Sequence, residues 1–376
     1  MRVLHIITGL GVGGAEHQLR LLLPRLAGDC TVVTLTNPGP VAAAIQADGF
    51  AVHDLGMRGN RDVAVVPRLA KLIRAGRFDV VHTHLYRACV YGRIAARLAG
   101  VRAAVATEHS LGDGVIEGRP ITAAVRALYL ATERLGQATI AVSETVRQRL
   151  VAWGVPDRRI VVIPNGIDPA ELRRDLTLRR ETRARLGIAA HVPVVGGVGR
   201  LEPTKRFDVL VRAVAELPET TLLLVGDGPA RAGLAALAGE LGVADRVVFA
   251  GSLPHARAAL CAMDVFASPS PQETFGMAII EALAGGLPVV YVSCPPLEGR
   301  SGTAARRVPG TPEALRAALR AQLARPGADA PAGVPAVVAE HDIGRAAAAL
   351  SQLYARLTAP AYPLGPAVEF GAARDE

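Results

Sequence analysis

The sequence predicts an α/β protein with two doubly wound parallel-sheet domains. Short β-branched runs alternate with helix-forming stretches along most of the chain, and this alternation is typical of parallel sheets with helices on both faces. The strand-like runs fall into two successive sets, which indicates two sheets rather than one. The length of 376 residues is also sufficient for two domains with large cores.

The predicted strands can be assigned to the two domains in chain order. The first set is VLHII, TVVTL, VVHTH, AAVATEH, ATIAV and RIVVIP, and the second is VPVVGGVG, TLLLVG, RVVFAG, DVFAS and LPVVYV. Residues 164–193 join the sets, with turn residues followed by a basic helical stretch. We therefore predict an N-terminal domain at 1–172, a C-terminal domain at 173–342, and a terminal segment at 343–376. In that segment an amphipathic helix precedes a tail expected to be mobile.

The composition argues against several classes of protein. The formal net charge of +8 and the pI of about 9.8 suit anionic ligands or a membrane surface. The sequence contains no block of basic residues with interleaved aromatics, so we expect no nucleic-acid partner. Four scattered cysteines argue for a reducing compartment and against a zinc site. The N-terminus does not resemble a signal peptide. The sequence has no long apolar run free of charged residues, so we expect no transmembrane helix. Together these features predict a cytoplasmic protein.

Two glutamates accompany the most apolar segment of the chain, PQETFGMAIIEALAGGLPVV at residues 271–290. The segment predicts a buried helix that begins near Gly276, followed by a buried strand. Glu281 lies within this helix, where an unpartnered carboxylate would cost several kcal/mol. Glu273 precedes the helix N-terminus, which favours an anion such as phosphate. Glutamates about 12 Å apart along the helix axis could hold both ends of a nucleotide sugar. Alternatively, Glu273 is a solvated loop charge and Glu281 a satisfied core charge.

Two cations follow a predicted strand in the segment GVGRLEPTKRFDVLVRA. Arg200 and Lys205 lie in the loop after the strand, where two positive charges suit a diphosphate. The only lysines of the chain are Lys71 and Lys205. In this arginine-rich background, a lysine indicates a need for a compact ammonium group. The alternative is a pair of solvated loop charges.

A glycine cluster follows the first predicted strand in TGLGVGGAEHQL. Gly11, Gly13 and Gly14 would permit a tight turn and a close approach of the backbone to a ligand. The spacing is not G-x-G-x-x-G, because the third position falls on Glu16, so a dinucleotide site is not favoured. A purely structural turn is the alternative.

Two later strand-to-turn segments could also meet a ligand. LLVGDGPARAGL is a strand, a glycine turn containing Gly226, and a helix. FAGSLP is a strand followed by a turn at Leu253, whose backbone could meet a flat base. Neither motif is specific by itself.

Histidines end two of the predicted strands. His82 and His84 of VVHTHLY lie on one face of a strand, which is compatible with a metal pair, but no acidic or thiol partner lies nearby in the sequence. We therefore predict no metal site. Glu108 and His109 of ATEHS end another strand on the side of the expected ligand site. The alternative for His109 is a satisfied surface histidine.

Eight motifs occur along residues 3–292 in a fixed order: GVGGAE, EHS, AVSE, PNGID, GRLEPTKRFDVLVRA, LLVGDGP, FAGSL and ETFGMAIIEALAGGLPVV. Their order and spacing resemble those of the retaining GT-B glycosyltransferases of glycosyltransferase family 4. The resemblance implies two Rossmann-like domains that face each other across a cleft, with the active site in that cleft. It also implies that the last helix, residues 343–357, crosses back to the N-terminal domain.

The resemblance implies a role for each matched residue. Glu281 would bind the ribose hydroxyls of the donor, and Glu273 the hydroxyls of its sugar. Arg200 and Lys205 would neutralise the diphosphate. The other predicted donor-binding residues of this domain are Gly226, Leu253, Thr274, Phe275, Gly276 and Met277, the last three through backbone contacts with the diphosphate.

The N-terminal domain would complete the site. Gly13 and Gly14 would approach the diphosphate or the acceptor, and His109 would contact the donor sugar near the reacting carbon. We count His109 with Arg200, Lys205 and Glu273 as predicted catalytic residues.

The activity implied is transfer of a hexosyl or N-acetylhexosaminyl group from a nucleotide-diphosphate sugar, above all a UDP-sugar, to an acceptor hydroxyl. The anomeric configuration would be retained, and neither a metal nor another cofactor would be required. The leaving phosphate would take the acceptor proton, while the protein stabilises the departing diphosphate. The alternatives are a nucleotide-sugar epimerase of the same shape and a non-catalytic partner of another transferase. A small-molecule, oligosaccharide or lipid-linked acceptor remains open.

Two segments depart from the simple picture. The family usually shows a Gly-Gly turn and an acidic residue after LPVV, but residues 291–311 lack them, so their structure is not predicted. Residues 118–136 predict a largely apolar helix with Arg119, Arg126 and Arg134 on one face. Such a helix could contact an anionic bilayer peripherally at the inner membrane face. An ordinary surface helix is the alternative.

Overall fold

The computed structural model describes residues 1–117, 119–253, 256–300, 304–324 and 335–359. Of the tail predicted to be mobile, residues 360–376 lie outside this part of the chain. The chain separates into two compact units. The first unit contains residues Met1–Gly166 together with the helix that begins at Ile343, and the second contains Ile167–Asp342.

The described residues form short strands and helices in alternation. The strands are β1 (Arg2–Ile7), β2 (Asp29–Thr34), β3 (Ala51–Asp54), β4 (Val80–His84), β5 (Ala103–Glu108), β6 (Val115–Ile116), β7 (Arg119–Pro120), β8 (Ala138–Ala141), β9 (Ile160–Val162), β10 (Val194–Val198), β11 (Thr221–Val225), β12 (Val247–Gly251), β13 (Val265–Ser268), β14 (Val289–Tyr291) and β15 (Ala305–Arg307). The α-helices are α1 (Gly14–Leu22), α2 (Gly39–Ala47), α3 (Val65–Gly76), α4 (Tyr86–Ala99), α5 (Ala123–Glu133), α6 (Glu144–Trp153), α7 (Leu176–Arg185), α8 (Phe207–Ala215), α9 (Arg231–Glu240), α10 (Ala256–Ala262), α11 (Met277–Ala284), α12 (Pro312–Leu323), α13 (Ala336–Glu340) and α14 (Ile343–Thr358).

The first unit is built on a parallel sheet with the strand order β3-β2-β1-β4-β5-β8-β9. Strand β1 pairs in parallel with both β2 and β4, so the chain order reverses between β1 and β4. In open α/β sheets, ligands bind outside the carboxyl ends of the strands at such a switch point. The glycine cluster after β1 and the histidines of β4 both lie at this position.

Helix α14 completes the core of the first unit. Its buried face includes Leu350, Leu353 and Tyr354, which belong to one apolar cluster with Ile7 of β1 and Leu19 of α1. The apolar residues of α14 recur at helical spacing, so one side of the helix is buried while the other carries polar residues. The last helix therefore packs on the N-terminal part of the chain.

The second unit is built on a parallel sheet with the strand order β12-β11-β10-β13-β14-β15. Strand β10 pairs in parallel with β11 on one side and with β13 on the other. The switch point of this sheet therefore lies between β10 and β13. The loops that contain Lys205 and Glu273 follow these two strands.

The predicted fold class, with two parallel-sheet Rossmann-like domains, is confirmed. Each of the predicted strand runs corresponds to an observed strand. The predicted buried helix is also present, and it begins at Met277 with Gly276 as its N-cap.

The helix predicted over residues 118–136 is shorter than expected. Helix α5 begins at Ala123, and Arg119 lies in the two-residue strand β7. The guanidinium of Arg126 donates hydrogen bonds to the carbonyls of Ala152 and Trp153. The three arginines therefore do not form one stripe on a helix. Within the described residues, no helix combines the length and apolarity needed to cross a membrane.

Candidate active site

Lys205 and Glu273 form an ion pair at the switch point of the second sheet. Lys205 ends a short 3-10 helix after β10, and Glu273 lies in the loop between β13 and α11. The Nζ atom of Lys205 lies 2.7 and 2.9 Å from the two carboxylate oxygens of Glu273. The side chains are 29% and 12% exposed, respectively. Two residues predicted separately to bind a donor are thus brought into direct contact.

Glu281 is buried within α11, about one turn from its start at Met277. The side chain is 7% exposed, and burial raises the pKa of this carboxyl to about 7. Ile279 and Ile280 on the same helix are buried as well, which explains why the local sequence is apolar. An ionisable side chain with a strongly shifted pKa next to a ligand-binding edge is a candidate functional group.

Arg200 lies in the same loop as Lys205 but has a different partner. Its guanidinium forms a 2.6 Å ion pair with Glu202, and its side chain is 59% exposed. An exposed arginine retains rotamer freedom and can move onto an anion at little cost. The structure therefore places Arg200 beside the Lys205–Glu273 pair in sequence but does not join it to that pair.

Glycines shape the backbone at the carboxyl edge of the second sheet. Gly226 has φ +131°, and a Cβ atom there would lie 2.0 Å from the carbonyl oxygen of Gly199. Gly276 has φ +94° and caps α11 without a side-chain hydrogen bond. The backbone at Met277 and beyond is therefore available at the helix start. Gly226 is required by the fold itself, whatever ligand it meets.

The other residues predicted to bind the donor surround this edge. Phe275 is buried and contacts the ring of His341 edge-on, with centroids 5.1 Å apart. Thr274 and Leu253 are half-buried. Thr274 lies between Glu273 and Phe275, whereas Leu253 follows β12 and borders residues outside the described range.

Described residues of the atypical segment 291–311 pack against Phe275 and Gly276, which precede α11. The segment continues β14, forms a 3-10 turn at Pro295–Leu297 and then the edge strand β15. The buried thiol of Cys294 lies 3.6 Å from the carbonyl oxygen of Phe275. A Cβ atom at Gly276 would come 3.0 Å from the Cys294 sulfur. The segment therefore packs directly against the residues that precede α11.

The glycine cluster of the first unit is not required by its backbone conformation. Gly13 is extended, with φ −167° and ψ 169°, a conformation open to any residue. A Cβ atom at Gly13 would approach only the flexible carboxylate of Glu16, at 2.5 Å, and a Cβ at Gly11 would meet nothing within 4 Å. Gly14 begins α1. A purely structural turn therefore does not account for glycine at positions 11 and 13.

A cluster of histidines lies at the switch point of the first sheet. His5 of β1 is in register with His82 of β4, and His84 follows on the same face. The Nδ1 atom of His5 lies 3.1 Å from Nε2 of His84, and Nδ1 of His84 lies 3.2 Å from Nε2 of His109. All four rings are buried, so His109 is not a surface histidine.

Hydroxyl groups hold the fourth ring, that of His82. Its Nδ1 atom lies 2.6 Å from the Tyr354 hydroxyl and its Nε2 atom 2.6 Å from the Thr107 hydroxyl. His82, His84, Thr107 and His109 border a cavity of about 20 Å³, which has room for about one water molecule. The backbone after β4 is strained there, because Leu85 has φ +72°, and such strain is typical of functional sites.

His5 and Tyr354 are members of this cluster that the sequence analysis missed. The signal for His5 was a single polar residue inside the apolar strand VLHII. The contact of Tyr354 comes from α14, hundreds of residues away in the chain, and no local pattern indicates it. Nitrogens of His5, His82 and His84 lie within 4.8 Å of one another, a spacing that could hold a metal ion.

Glu108 precedes His109 but belongs to a separate buried cluster. Both of its carboxylate oxygens are buried without a hydrogen-bond partner in the described part of the chain. Burial raises the pKa of Glu108 to about 7, while the nearby charge of Arg93 acts to lower it. Arg93 donates to the hydroxyls of Tyr129 and Thr139, which lie on α5 and β8. This cluster ties helices α4 and α5 to the sheet.

The buried histidines are expected to make the protein sensitive to acid. Burial lowers the pKa of His5 to about 3 and that of His109 to about 4, and lowers those of His82 and His84 well below 6.5. A histidine whose pKa is lower in the folded than in the unfolded protein lowers the free energy of unfolding as the pH falls below 6.5, because only the unfolded chain takes up the proton. Between pH 6.5 and 5, the free energy of unfolding of His5→Phe should therefore fall by about 2 kcal/mol less than that of the wild type.

Urea unfolding at several pH values measures this difference. Glu108 and Glu281 act in the opposite direction, since their raised pKa values cost stability as the pH rises from 4.5 to about 7. Both proteins carry these glutamates, so their contribution cancels in the comparison. Parallel stability curves for the two proteins over this range would contradict the expectation.

Models of two glycosyltransferase families match different halves of the chain. Residues 12–171 match the model of Glycosyltransferase Family 4, and residues 192–325 match that of Glycosyl transferases group 1. These two segments contain the glycine cluster and histidines in one case, and Lys205, Glu273 and Glu281 in the other.

Curated relatives and a solved structure agree with these matches. The chain is 33% identical to the 2-deoxystreptamine glucosyltransferase of Streptomyces kanamyceticus over 245 residues, 60% of this chain and 62% of the relative. It is 31% identical to the D-inositol 3-phosphate glycosyltransferase of Mycobacterium tuberculosis over 278 residues, 69% of this chain and 56% of the relative. The matches thus span about three fifths of those proteins.

The fold similarity extends further along the chain. The structure of Anabaena Alr3699/HepE in complex with UDP and glucose superimposes with a TM-score of 0.81, at 22% identity, over 94% of this chain and 99% of that one. At this identity, the similarity establishes the fold. In both of its halves, therefore, this chain has the sequence characteristics of glycosyltransferase families, on a pair of Rossmann-like domains of the GT-B type.

Proposed function

We propose that this protein is a glycosyltransferase that moves a sugar from a nucleotide-diphosphate sugar, preferably a UDP-sugar, to an acceptor hydroxyl. The observation that carries the proposal is the Lys205–Glu273 pair at the switch point between β10 and β13. Parallel α/β sheets bind nucleotides at this position. A cation and a carboxylate in contact there can separate onto a ligand that carries both anionic and hydroxyl groups.

The diphosphate would bind beside Lys205 and the start of α11. Lys205 supplies a compact positive charge, and the backbone N–H groups at Met277 and Ala278 add the partial positive charge of a helix N-terminus. Arg200, whose side chain is exposed, can close on the same phosphates. As the bond to the sugar breaks, negative charge grows on the diphosphate, so these groups stabilise the transition state more than the ground state.

The two glutamates would bind the hydroxyl groups of the donor. Glu273, freed from Lys205 by the diphosphate, accepts hydrogen bonds from the sugar. Glu281 accepts hydrogen bonds from the ribose, and its ionised form provides the stronger acceptor. The position of Glu281 inside an otherwise apolar helix is thereby explained by a ligand rather than by an internal partner.

We propose further that transfer proceeds with retention of the anomeric configuration. In a same-face mechanism the leaving phosphate takes the proton from the acceptor hydroxyl, so that no nucleophile from the protein is required. The ground for this assignment is the resemblance of the chain's motifs to those of retaining glycosyltransferases. Proton NMR of the first-formed product distinguishes retention from inversion.

The acceptor is proposed to be a cyclitol or an amino derivative of one. The two curated relatives are named for 2-deoxystreptamine and for D-inositol 3-phosphate, both of which are six-membered carbocyclic rings with several hydroxyls. Gly13 has no Cβ atom, so its extended backbone offers a close approach to such a ring, with only the flexible carboxylate of Glu16 beside it. The inferred acceptor binds to the first unit and the donor to the second.

The proposal is tested by UDP release and product mass. The protein is incubated with UDP-glucose, UDP-galactose or UDP-N-acetylglucosamine, alone and with 2-deoxystreptamine or inositol 3-phosphate. A transferase produces UDP and a glycosylated acceptor in equal amounts, and UDP release depends on the acceptor. Conversion of one nucleotide sugar into another without an acceptor would instead indicate an epimerase. Neither product nor UDP with any pair would contradict catalysis.

Gly13→Ala is expected to reduce turnover while leaving the fold intact. The extended backbone accepts alanine, and the added methyl group displaces only the end of Glu16. Loss of glycine flexibility should even stabilise the protein by about 0.5 kcal/mol. Circular dichroism melts and initial rates measure the two effects. Gly233→Ala, at an open position on α9, is the control, and an unchanged rate in Gly13→Ala would contradict a close approach of substrate there.

Transfer is expected to continue in the presence of a chelator. Lys205, Arg200 and the start of α11 provide the positive charge that a divalent ion would otherwise supply to the diphosphate. We expect initial rates to change by less than about twofold, well under 1 kcal/mol, after dialysis against EDTA. Loss of activity with EDTA and recovery with Mg²⁺, Mn²⁺ or Zn²⁺ would show that a metal takes part.

A further inference from the structure

A buried arginine and a buried glutamate lie together at the end of β5. Arg93 comes from α4 and Glu108 from the last position of β5, and each residue is 1% exposed. Successive side chains of a strand point to opposite faces of the sheet. Thr107 contacts His82 on one face, so Glu108 points to the other face, where the charge of Arg93 acts on its pKa.

The hydroxyl groups around Arg93 do not offset its charge. The Nη2 atom donates to the hydroxyls of Tyr129 and Thr139, at 3.3 and 3.1 Å. The guanidinium carbon lies 4.8 Å from the centre of the Tyr129 ring. The Nε and Nη1 atoms are buried without a hydrogen-bond partner among the residues that the structure describes. A guanidinium stays protonated in proteins, and a buried charge without a counter-charge is strongly destabilising.

Glu108 supplies the counter-charge. Both of its oxygens are likewise buried without a hydrogen-bond partner in the described part of the chain. Burial acts to lower the pKa of Arg93, but nearby groups raise it overall, and these include Tyr129, Cys89 and Glu108. Burial raises the pKa of the Tyr129 hydroxyl and of the Cys89 thiol well above their usual values, so both stay neutral near pH 7. Among these three groups, only the carboxyl of Glu108 can therefore be negative at that pH.

The ionisation of Glu108 changes near neutral pH. Burial raises the pKa of this carboxyl to about 7, with a smaller contribution from the charge of Glu117. The charge of Arg93 and the side chains of Tyr129 and Cys89 act in the opposite direction. The carboxyl is therefore ionised above about pH 7 and protonated below it. When it is protonated, Arg93 keeps its buried charge but has lost its carboxylate partner.

The backbone connects this pair to the candidate site. Glu108 is in register with Ala141 of β8, and the next residue along the chain is His109. Farther on, a carboxylate oxygen of Glu117 accepts a hydrogen bond from the backbone N–H of Tyr86, at the start of α4. The segment that follows β5 is thus held against α4 at both of its ends. A displacement of Glu108 relative to α4 would move the backbone of His109.

We propose that Glu108 is a positioning residue, which pairs with Arg93 in the protein interior and thereby fixes His109 for sugar transfer. This inference rests on the proposed function and on a contact of His109 with the donor sugar. Glu108 acts through the backbone of β5 and does not touch the donor. Its ionised, paired form holds the geometry that transfer requires, and its protonation releases the pair and lowers turnover.

Proton NMR of the His109 ring tests the inference without any transfer of sugar. The His109→Asn variant assigns the His109 signals. The ring itself stays neutral between pH 6 and 8, because burial lowers its pKa to about 4. We nevertheless expect its signals to shift with a midpoint near pH 7 in the wild type, and we expect Glu108→Gln to lack this transition. The same pH dependence of the His109 signals in both proteins would overturn the inference.

The pH profile of kcat tests the effect on turnover. At saturating donor and acceptor, kcat of Glu108→Gln should be about tenfold below that of the wild type at pH 8, because a small misplacement of a reacting group has an effect of this order. The ratio should approach one at pH 6, where the wild-type carboxyl is protonated as well. KM for the donor should change less than kcat. Glu240→Gln, at an exposed position on α9, is the control.

A shorter carboxylate provides a second variant. Glu108→Asp keeps the charge but has a lower intrinsic pKa, so the His109 transition should persist with its midpoint at a lower pH. This variant decides the question if Glu108→Gln does not fold. A transition with the wild-type midpoint in Glu108→Asp would mean that another group titrates, and the inference would be wrong.

The inference and the proposed function fail in different ways. If the His109 signals follow the ionisation of Glu108 but no sugar transfer is detected with any donor, then the pairing stands and the proposed function fails. If transfer is detected but Glu108→Gln changes neither the His109 signals nor kcat, then the proposed function stands and the positioning role of Glu108 is wrong.

Discussion

Lys205→Ala is expected to lower kcat by about 100-fold or more, because removal of one preorganised group that stabilises transition-state charge typically has an effect of this size. Lys205 lies at the switch point of the second sheet and contacts both oxygens of Glu273. The negative charge on the leaving diphosphate is greatest in the transition state, so KM for the donor should change less than kcat. Initial rates over a range of donor concentrations measure both constants.

The other lysine of the chain provides a matched control. Lys71 lies on α3 and is exposed, so Lys71→Ala should retain wild-type kinetics. Because Lys205 and Glu273 act on the same bound donor, the double variant Lys205→Ala/Glu273→Gln should lose less than the sum of the single effects. A loss in Lys205→Ala that is confined to KM would mean that the lysine only docks the donor. Independent, additive effects would contradict a shared role.

Glu281→Gln is expected to weaken UDP binding and at the same time to stabilise the free protein. A hydrogen bond to a charged acceptor contributes about 1.5–3 kcal/mol, so affinity at pH 8 should fall by at least about tenfold. The raised pKa of Glu281 means that its favourable contribution to stability is present below 4.5 and is lost as the pH rises to about 7. At pH 8 the glutamine variant should therefore be more stable by as much as about 3 kcal/mol.

The affinity of the wild type should also depend on pH. Hydroxyl donors favour the ionised form of Glu281, so the affinity for UDP should fall as the pH drops below about 7. Phosphate groups of UDP titrate near pH 6 as well, and the glutamine variant shows that part alone. Calorimetric titrations from pH 5.5 to 8 give the difference between the two proteins. Identical pH profiles would show that Glu281 does not contact the nucleotide.

Two strands that the sequence analysis missed show the limits of predicting strands from local apolar runs. Strands β3 and β15 are the outermost strands of their sheets. Their residues, AVHD and ARR, are mostly exposed, because an edge strand is covered on fewer sides than a central one. They therefore lack the apolar run that identified the other strands of the two large sheets, including the edge strands β9 and β12. Pairing with β2 and β14 supplies their conformation instead.

The candidate site was predicted residue by residue, but its internal contacts were not. Lys205 and Glu273 are separated by 68 positions, and only the neighbouring placement of β10 and β13 brings them together. Glu281 was identifiable because a carboxylate in an apolar helix is unusual in any sequence. The contact between His5 and the histidines of β4 depends on the register of β1 with β4, and thus on a long-range property of the sheet. Such register is not encoded in a local motif.

A crystal structure with a bound UDP-sugar tests the central claim most directly. The account predicts ribose hydroxyls within hydrogen-bond distance of the Glu281 carboxylate and a diphosphate between Lys205 and the start of α11. It also predicts that the 2.7 Å contact between Lys205 and Glu273 is broken, with Glu273 turned to the hydroxyls of the sugar. A nucleotide bound elsewhere, with the Lys205–Glu273 pair intact and Glu281 out of contact with the nucleotide, would contradict it.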